Sequence, residues 1–331
     1  MSAQTQSTSD ALTVKLWHEK LRREIPKNSF FEAFMGNDGS NIVHVKDIKG
    51  KGDTCTFGLA MRLNAPAKHS GESLEGSESV ITTYSDSVSL DEQNFAVASK
   101  SPLDRKRPIW DMDAELRHSL IINAAEKRDQ LIFDQLYTGT LSKILYGGTA
   151  TSTATLTTSD KLTPELISKV KTGAKNGWAR SRTPMVPIRI AGKDVFVLLV
   201  HDDSMYDLKQ DSRYDQARRD AMERSDEHPL FMGADTCWWD GVIIKSHENV
   251  PISLTGGAGG NVPYAKNVLL GAQAILFAWG EKEHIVEATM DYTLKKGYAS
   301  LAMYNATRAT YNSNDFGVAG LFTARTSISD A

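Results

Sequence analysis

From Asp53 to Leu63 the chain reads DTCTFGLAMRL. Cys55, Phe57, Leu59, Met61 and Leu63 alternate with Thr54, Thr56 and Arg62, the period-two pattern of a strand with one buried face. A second run, VITTYSDSVSL from Val80 to Leu90, answers it, with Val80, Thr82, Tyr84, Val88 and Leu90 on one face and Thr83, Ser85, Ser87 and Ser89 on the other. The phase shifts near Asn94 and Phe95, as at a bulge or corner. Between the runs lies Asn64–Glu78, a polar loop with Pro66, Gly71, Gly76 and the three glutamates Glu72, Glu75 and Glu78. Loops of that length without internal structure are usually functional. Together these pieces predict a long two-stranded ribbon with an acidic tip. Two strands cannot cover their own apolar face, so the ribbon must rest on the body of its own chain, as most hairpins do, or on a neighbouring copy.

Working outward, Leu12, Leu16, Trp17 and Leu21 fall at helical spacing before the helix breaker Pro26, predicting a short amphipathic arm. Phe30, Phe31 and Phe34 are its expected anchor. On the other side of the ribbon a helix is predicted from Asp111 to Tyr137, capped by Asp111 and closed near Gly139. Its stripe is Met112, Leu116, Leu120, Ala124 and Leu131, and at 1.5 Å per residue it would reach roughly 40 Å. Gly147–Asp160, almost all Gly, Thr, Ser and Ala, reads as a linker or exposed loop at a domain boundary. Thr163 and Pro164 start a helix running to about Gly177. Strands are expected at Val186–Ile190, at Val195–Val200 (an apolar run of the kind buried on both faces) and at Cys237–Lys245. Asp203–Arg224 reads as interrupted helix, Asn267–Trp279 as a helix with a small packed face, and Glu287–Thr323 as strand-rich. The order is mixed α+β, without βαβ alternation.

Composition narrows the function. The 331 residues can bury one large core or two modest ones, so a pair of lobes is expected. Lys+Arg number 38 against 41 Asp+Glu, a formal charge of -3, whereas proteins that neutralise many phosphates run strongly basic. Neither Val195–Val200 nor Leu269–Trp279 approaches the ~20 apolar residues of a membrane helix, and Met1–Asp10 has no basic-then-apolar order, so neither membrane span nor signal peptide is expected. Cys55 and Cys237 lack metal-site spacing and read as two reduced core thiols.

Sites for chemistry are sparse. His201, Asp202 and Asp203 follow a buried strand and could serve a metal- or acid/base-dependent hydrolase; the plainer reading is that Asp202 or Asp203 caps the next helix. There is no GxSxG elbow, and Gly256–Gly260 lacks the Lys-Ser/Thr of a phosphate loop. Neither catalytic, metal nor cofactor residues are assigned. Leu166–Lys193 carries Lys169, Lys171, Lys175, Arg180, Arg182, Arg189 and Lys193 around Trp178 with no acid among them. Such a run binds a phosphate backbone, forms a solvated face, or complements an acidic neighbour such as the ribbon tip.

Several segments, in order, resemble one group of tailed-bacteriophage major capsid proteins, related to those of short-tailed coliphages. They are Gly71–Glu78 (GESLEGSE) after the alternating strand, Arg107, Trp110 and Asp111 opening the long helix, and Asp129, Phe133 and Leu136 near its end. Leu269–Ala274 (LLGAQA) and Asp315-Phe316-Gly317 complete the set. The resemblance implies an α+β Hong Kong 97-type capsid fold: an N-terminal arm and anchor over 1–48, an extended loop over 49–97, and a peripheral part with a spine helix over 98–160. It further implies an axial domain over 161–282 and C-terminal strands over 283–331 returning to the peripheral domain. Implied with it are a non-enzymatic shell subunit assembling as hexamers and pentamers into an icosahedral virion around double-stranded DNA, in the host bacterial cytoplasm. Expected partners are scaffolding, portal and cement or decoration proteins, with no membrane. The residues expected between subunits are Trp17, Glu72, Leu74, Glu75, Glu78, Lys169, Lys171, Lys175, Arg180 and Arg182.

Overall fold

The computed structural model describes residues 29–48, 50–61, 63, 65, 67–71, 73–76, 78–99, 101–106, 111–178, 184–190, 192–222 and 236–327. The arm expected over Leu12–Pro26 lies outside them. Its chain divides into two compact units, a smaller one of residues 1–28, 93–127 and 283–302 and a larger one of 29–92, 128–282 and 303–331.

In chain order, a 3-10 turn at Glu32–Phe34 leads into β1 (Met35–Gly36) and β2 (Val43–Asp47), and the ribbon strands are β3 (Thr54–Ala60) and β4 (Thr83–Ser89). β5 (Phe95–Ala98) and the short α1 (Pro102–Lys106) precede the long α2 (Met112–Tyr137). Then come β6 (Ile144–Tyr146), α3 (Pro164–Lys175), β7 (Ile188–Ile190), β8 (Lys193–Val200), α4 (Asp202–Gln210) and α5 (Ser212–Met222). The remainder is strand: β9 (Thr236–Trp239), β10 (Val242–Ser246), β11 (Ile252–Gly256), β12 (Val262–Leu270) and β13 (Ile275–Met290). It ends with β14 (Lys295–Arg308), β15 (Thr310–Tyr311), β16 (Asn314–Asp315) and β17 (Val318–Ala324).

The larger unit is organised on a mixed sheet in the order β6-β17-β12-β8-β10-β9. β8 is buried from Val195 through Val200, which is why its sequence is a continuous apolar run rather than an alternating one. Leu166, Ile167, Val170 and Ala174 of α3 form one core cluster with Phe196, Leu198 and Val200 of β8, Met205 and Leu208 of α4, and Leu269 and Leu321. The start of α3 is dictated locally: the Thr163 hydroxyl accepts from the Leu166 N–H at 3.4 Å, and Pro164 occupies the first turn, where no N–H is needed. Cys55 and Cys237 are buried free thiols.

In the smaller unit β14 pairs antiparallel with β5, Tyr298 opposite Val97. The first half of α2 opens as the sequence predicts, with Asp111 Oδ1 accepting from the N–H groups of Asp113 (3.0 Å) and Ala114 (3.4 Å). Arg117 lies 4.7 Å over the Tyr298 ring and pairs with Glu287 at 3.4 Å, while Lys296 bridges Glu287 (3.4 Å) and Asp113 (3.8 Å).

Two expectations fail here. Asn267–Trp279 is not a helix: it is the end of β12, a turn at Gly271–Ala274 and the start of β13. Its strand residues are buried on both faces and show no period of two, and alanine-rich apolar sequence then mimics a helix. Gly271 was the available signal, since a Cβ there would stand 2.6 Å from the Val186 carbonyl oxygen. Cys237–Lys245 is likewise not one strand but a hairpin, β9 and β10, turned by Asp240 and Gly241 at φ of 46° and 69°. Asp-Gly is the dipeptide that a two-residue turn with positive φ at both positions requires.

Candidate assembly surface

The ribbon pairs over its full strands, Thr54 opposite Ser89 through Ala60 opposite Thr83. Its two ends have different surroundings. At the base, Cys55 (3% exposed), Phe57 and Val88 (0%) pack with Leu276, Ala278, Ala309, Tyr311 and Phe316 of the same unit. Burial of Phe57 and Val88 stabilises this attachment by about 1.5–3 kcal/mol per side chain. Support for the base therefore comes from its own chain, the first of the two alternatives that the sequence leaves open. Toward the tip the apolar residues emerge: Leu63, Ile81, Leu74 at 72% and Val80 at 89% exposed. Isolated exposed apolar side chains are ordinary, but these four fall within and next to the sequence of the loop that carries Glu75 and Glu78, which are also exposed. Glu78 turns back to accept from the Gly76 N–H at 2.9 Å, a local bond between residues two apart.

One polar residue interrupts the base. Asp86 stands opposite Phe57, on the face shared by Tyr84 and Val88, where the alternation calls for an apolar side chain. Sequence reading passed over it, although the break in pattern was visible. Its carboxylate accepts from the Thr310 N–H at 2.9 Å and the Thr310 hydroxyl at 3.3 Å.

The chain that leads into β1 is anchored on the second half of α2. Asp129, buried, accepts from the Ser29 hydroxyl at 2.9 Å and the Phe30 N–H at 2.5 Å. Phe133 lies 4.9 Å from Phe31 and 4.6 Å from the His247 ring, so Phe31 packs on the second half of the long helix, while the arm that the aromatic cluster was expected to anchor lies outside the described residues. Burial lowers the His247 pKa below its ordinary 6.5; Asp129, Glu248 and Asp202 oppose that shift and Lys245 adds to it. The unfolded chain therefore takes up the proton first as pH falls. The stabilisation from burying a neutral ring is complete above about 6.5 and is lost as the pH drops through the lowered folded-state value. Thermal melts between pH 7 and 5 are expected to show a smaller acid-induced loss of stability in His247→Gln than in the natural chain, and equal losses would contradict this account.

Of the residues expected between subunits, Trp17, Glu72, Arg180 and Arg182 lie outside the described residues. Lys169 is held at 2.9 Å by Glu165 one turn back, and Lys171 by Asp240 at 2.8 Å, while Lys175 is exposed on the last turn of α3. The basic run is thus partly neutralised within its own unit. Of the strand-end acids, Asp202 is exposed and Asp203 is engaged. His201 itself is the helix cap, its Nδ1 accepting from the Asp203 N–H at 3.2 Å, so the capping role expected of Asp202 or Asp203 falls to the histidine. Asp203 pairs with the fully buried Arg325 side chain. Next to it Asp207 takes Lys161 at 3.0 Å and the hydroxyl and N–H of Thr326 at 2.6 and 2.9 Å. This is a clamp on the segment after β17, with its acids committed to cations and backbone. Among the described residues no three His, Cys, Asp or Glu side chains gather to hold a metal ion.

Comparison with known proteins separates a shell subunit from a hydrolase. A family model described as "Phage capsid protein" matches residues 5–143 and 134–298. The chain belongs to the phage capsid protein family. The major capsid protein of Pseudomonas phage KPP25 is 22% identical over an alignment 371 residues long, covering 96% of each chain. Among solved structures, the capsid of Ralstonia phage GP4 superposes with a TM-score of 0.84 at 24% identity, covering 99% of both chains. The cyanophage Pam1 capsid gives 0.82 at 18%, covering 99% of this chain and 100% of that one. The capsid protein thus has the Hong Kong 97-type α+β fold and is a structural subunit of a phage shell, not an enzyme.

Proposed function

We propose that the capsid protein assembles through hexamers and pentamers into an icosahedral shell enclosing double-stranded DNA, with the ribbon tip as its reach onto the neighbouring copy. The observation that carries this is the division of the ribbon into a base buried on its own unit and a tip whose Leu63, Leu74, Val80 and Ile81 stand exposed. Many copies of one modest contact, closed by symmetry, hold a shell together without any single strong site. In this reading residues 1–48 are the arm and its anchor, 49–97 the extended loop, 98–160 the peripheral part with the spine helix, 161–282 the axial domain and 283–331 the returning strands. Trp17, Glu72, Leu74, Glu75 and Glu78 meet neighbouring copies, and Lys169, Lys171, Lys175, Arg180 and Arg182 form the basic complement. Scaffolding, portal and cement proteins are the further partners, and assembly takes place in the host bacterial cytoplasm before the protein resides in the virion.

The test is the size of the expressed full chain by sedimentation and negative-stain microscopy. Rings of five and six copies or closed shells of megadalton mass are expected. A monomer or dimer that persists across the accessible concentration range overturns the proposal.

A further inference from the structure

Asp86 places a carboxylate on the apolar face of the ribbon, where an ionised group is costly unless it is fully engaged. Oδ1 accepts from the Ser87 N–H at 2.9 Å, and Oδ2 takes both the N–H and the hydroxyl of Thr310. Thr310 lies in β15, one side of a minimal hairpin with β16, turned by Asn312 and Ser313 at φ of 52° and 58°. The other side ends at the buried Asp315, whose Oδ2 accepts from the Ser142 N–H at 2.5 Å and whose Oδ1 pairs with Arg308 Nε at 2.7 Å. Arg308 in turn donates to the carbonyls of Leu136 (3.1 Å) and Thr140 (3.2 Å) at the C-terminal end of α2, where a cation is favoured.

We infer that Asp86, the β15–β16 hairpin and Arg308 form a bracket that fixes the direction in which the ribbon leaves the larger unit, with the end of α2 as its footing. Asp86 is then a positioning residue for assembly, a role that rests on the reading that the ribbon tip meets a neighbouring copy. Apolar contact around Cys55, Phe57 and Val88 is non-directional and tolerates sliding, whereas charge-assisted hydrogen bonds fix an angle. Direction matters because of leverage. A tilt of about 10° at the base moves a point about 25 Å along the ribbon by about 4 Å, more than a hydrogen bond tolerates.

Full-length Asp86→Ala and Asp86→Asn test the bracket by amide hydrogen exchange of the unassembled subunit and by the yield of shells in negative stain. In Asp86→Ala, exchange over 54–60 and 83–89 is expected to quicken about tenfold while β8 and β12 keep their protection, and shell yield to fall about tenfold. Asp86→Asn, which keeps an acceptor oxygen and the side-chain size, is expected to fall between; it carries the measurement if the alanine variant does not fold. Unchanged ribbon exchange overturns the bracket, as does a loosened ribbon with shells of normal number and size. A companion deletion of the tip separates the two readings. If the deletion abolishes shells and the Asp86 variants assemble normally, only the bracket falls; if the deletion assembles normally, the role of the tip falls with it.

Discussion

Removing residues 64–77 is expected to leave a folded subunit that forms no closed shells. The deletion spares both paired strands, and it spares Cys55, Phe57 and Val88, which attach the ribbon to the larger unit. It also spares the bond from the Met61 N–H to the Thr82 carbonyl at 2.9 Å that continues the pairing beyond β3 and β4. Shortening the loop changes its closure entropy by less than about 1 kcal/mol. What goes is exposed surface, including Leu74 and Glu75. An interface that loses an apolar anchor and its charged rim weakens by about 2–4 kcal/mol, some 30- to 1,000-fold per contact. Every subunit of the shell loses the same contact, so the effect is close to all-or-none. Circular dichroism and melting report the fold, and microscopy reports shells; normal particles from the deletion would refute the tip's role.

The second large effect falls on stability. Arg325→Met is expected to destabilise the subunit by about 3–5 kcal/mol, because it leaves the buried Asp203 carboxylate without its guanidinium. For a chain of this size that corresponds to a fall of about 4–7 °C in melting temperature. Adding Asp203→Asn removes the stranded charge and is expected to recover more than half of the loss. A single variant that melts within about 2 °C of the natural chain, against the loss expected for breaking a buried pair, would show that the pair carries little. The clamp matters because β17 lies between β12 and β6 in the main sheet, and Arg325 to Ser327 continue from its end.

Much of the scaffold was readable in one dimension. The ribbon strands, the long helix with its Asp111 cap, the Thr163-Pro164 helix start and the doubly buried β8 each announce themselves through local rules of period, capping or apolar run. The errors came where local rules are ambiguous. Leu269–Trp279 is apolar apart from Gln273, and a largely buried apolar run looks the same as helix or strand until its neighbours are known. Asp240-Gly241 is a legible turn signal that divides the expected Cys237–Lys245 strand in two.

What sequence alone determined is that this chain makes a half-apolar ribbon with a polar, acidic tip, because strand alternation and loop composition are properties of adjacent residues. Where the ribbon rests, which acids are spent on the clamp, and how Asp86 reaches Thr310 were decided by tertiary structure alone. Those contacts join residues more than a hundred positions apart, and no pattern along the chain encodes which distant donor a buried carboxylate will meet.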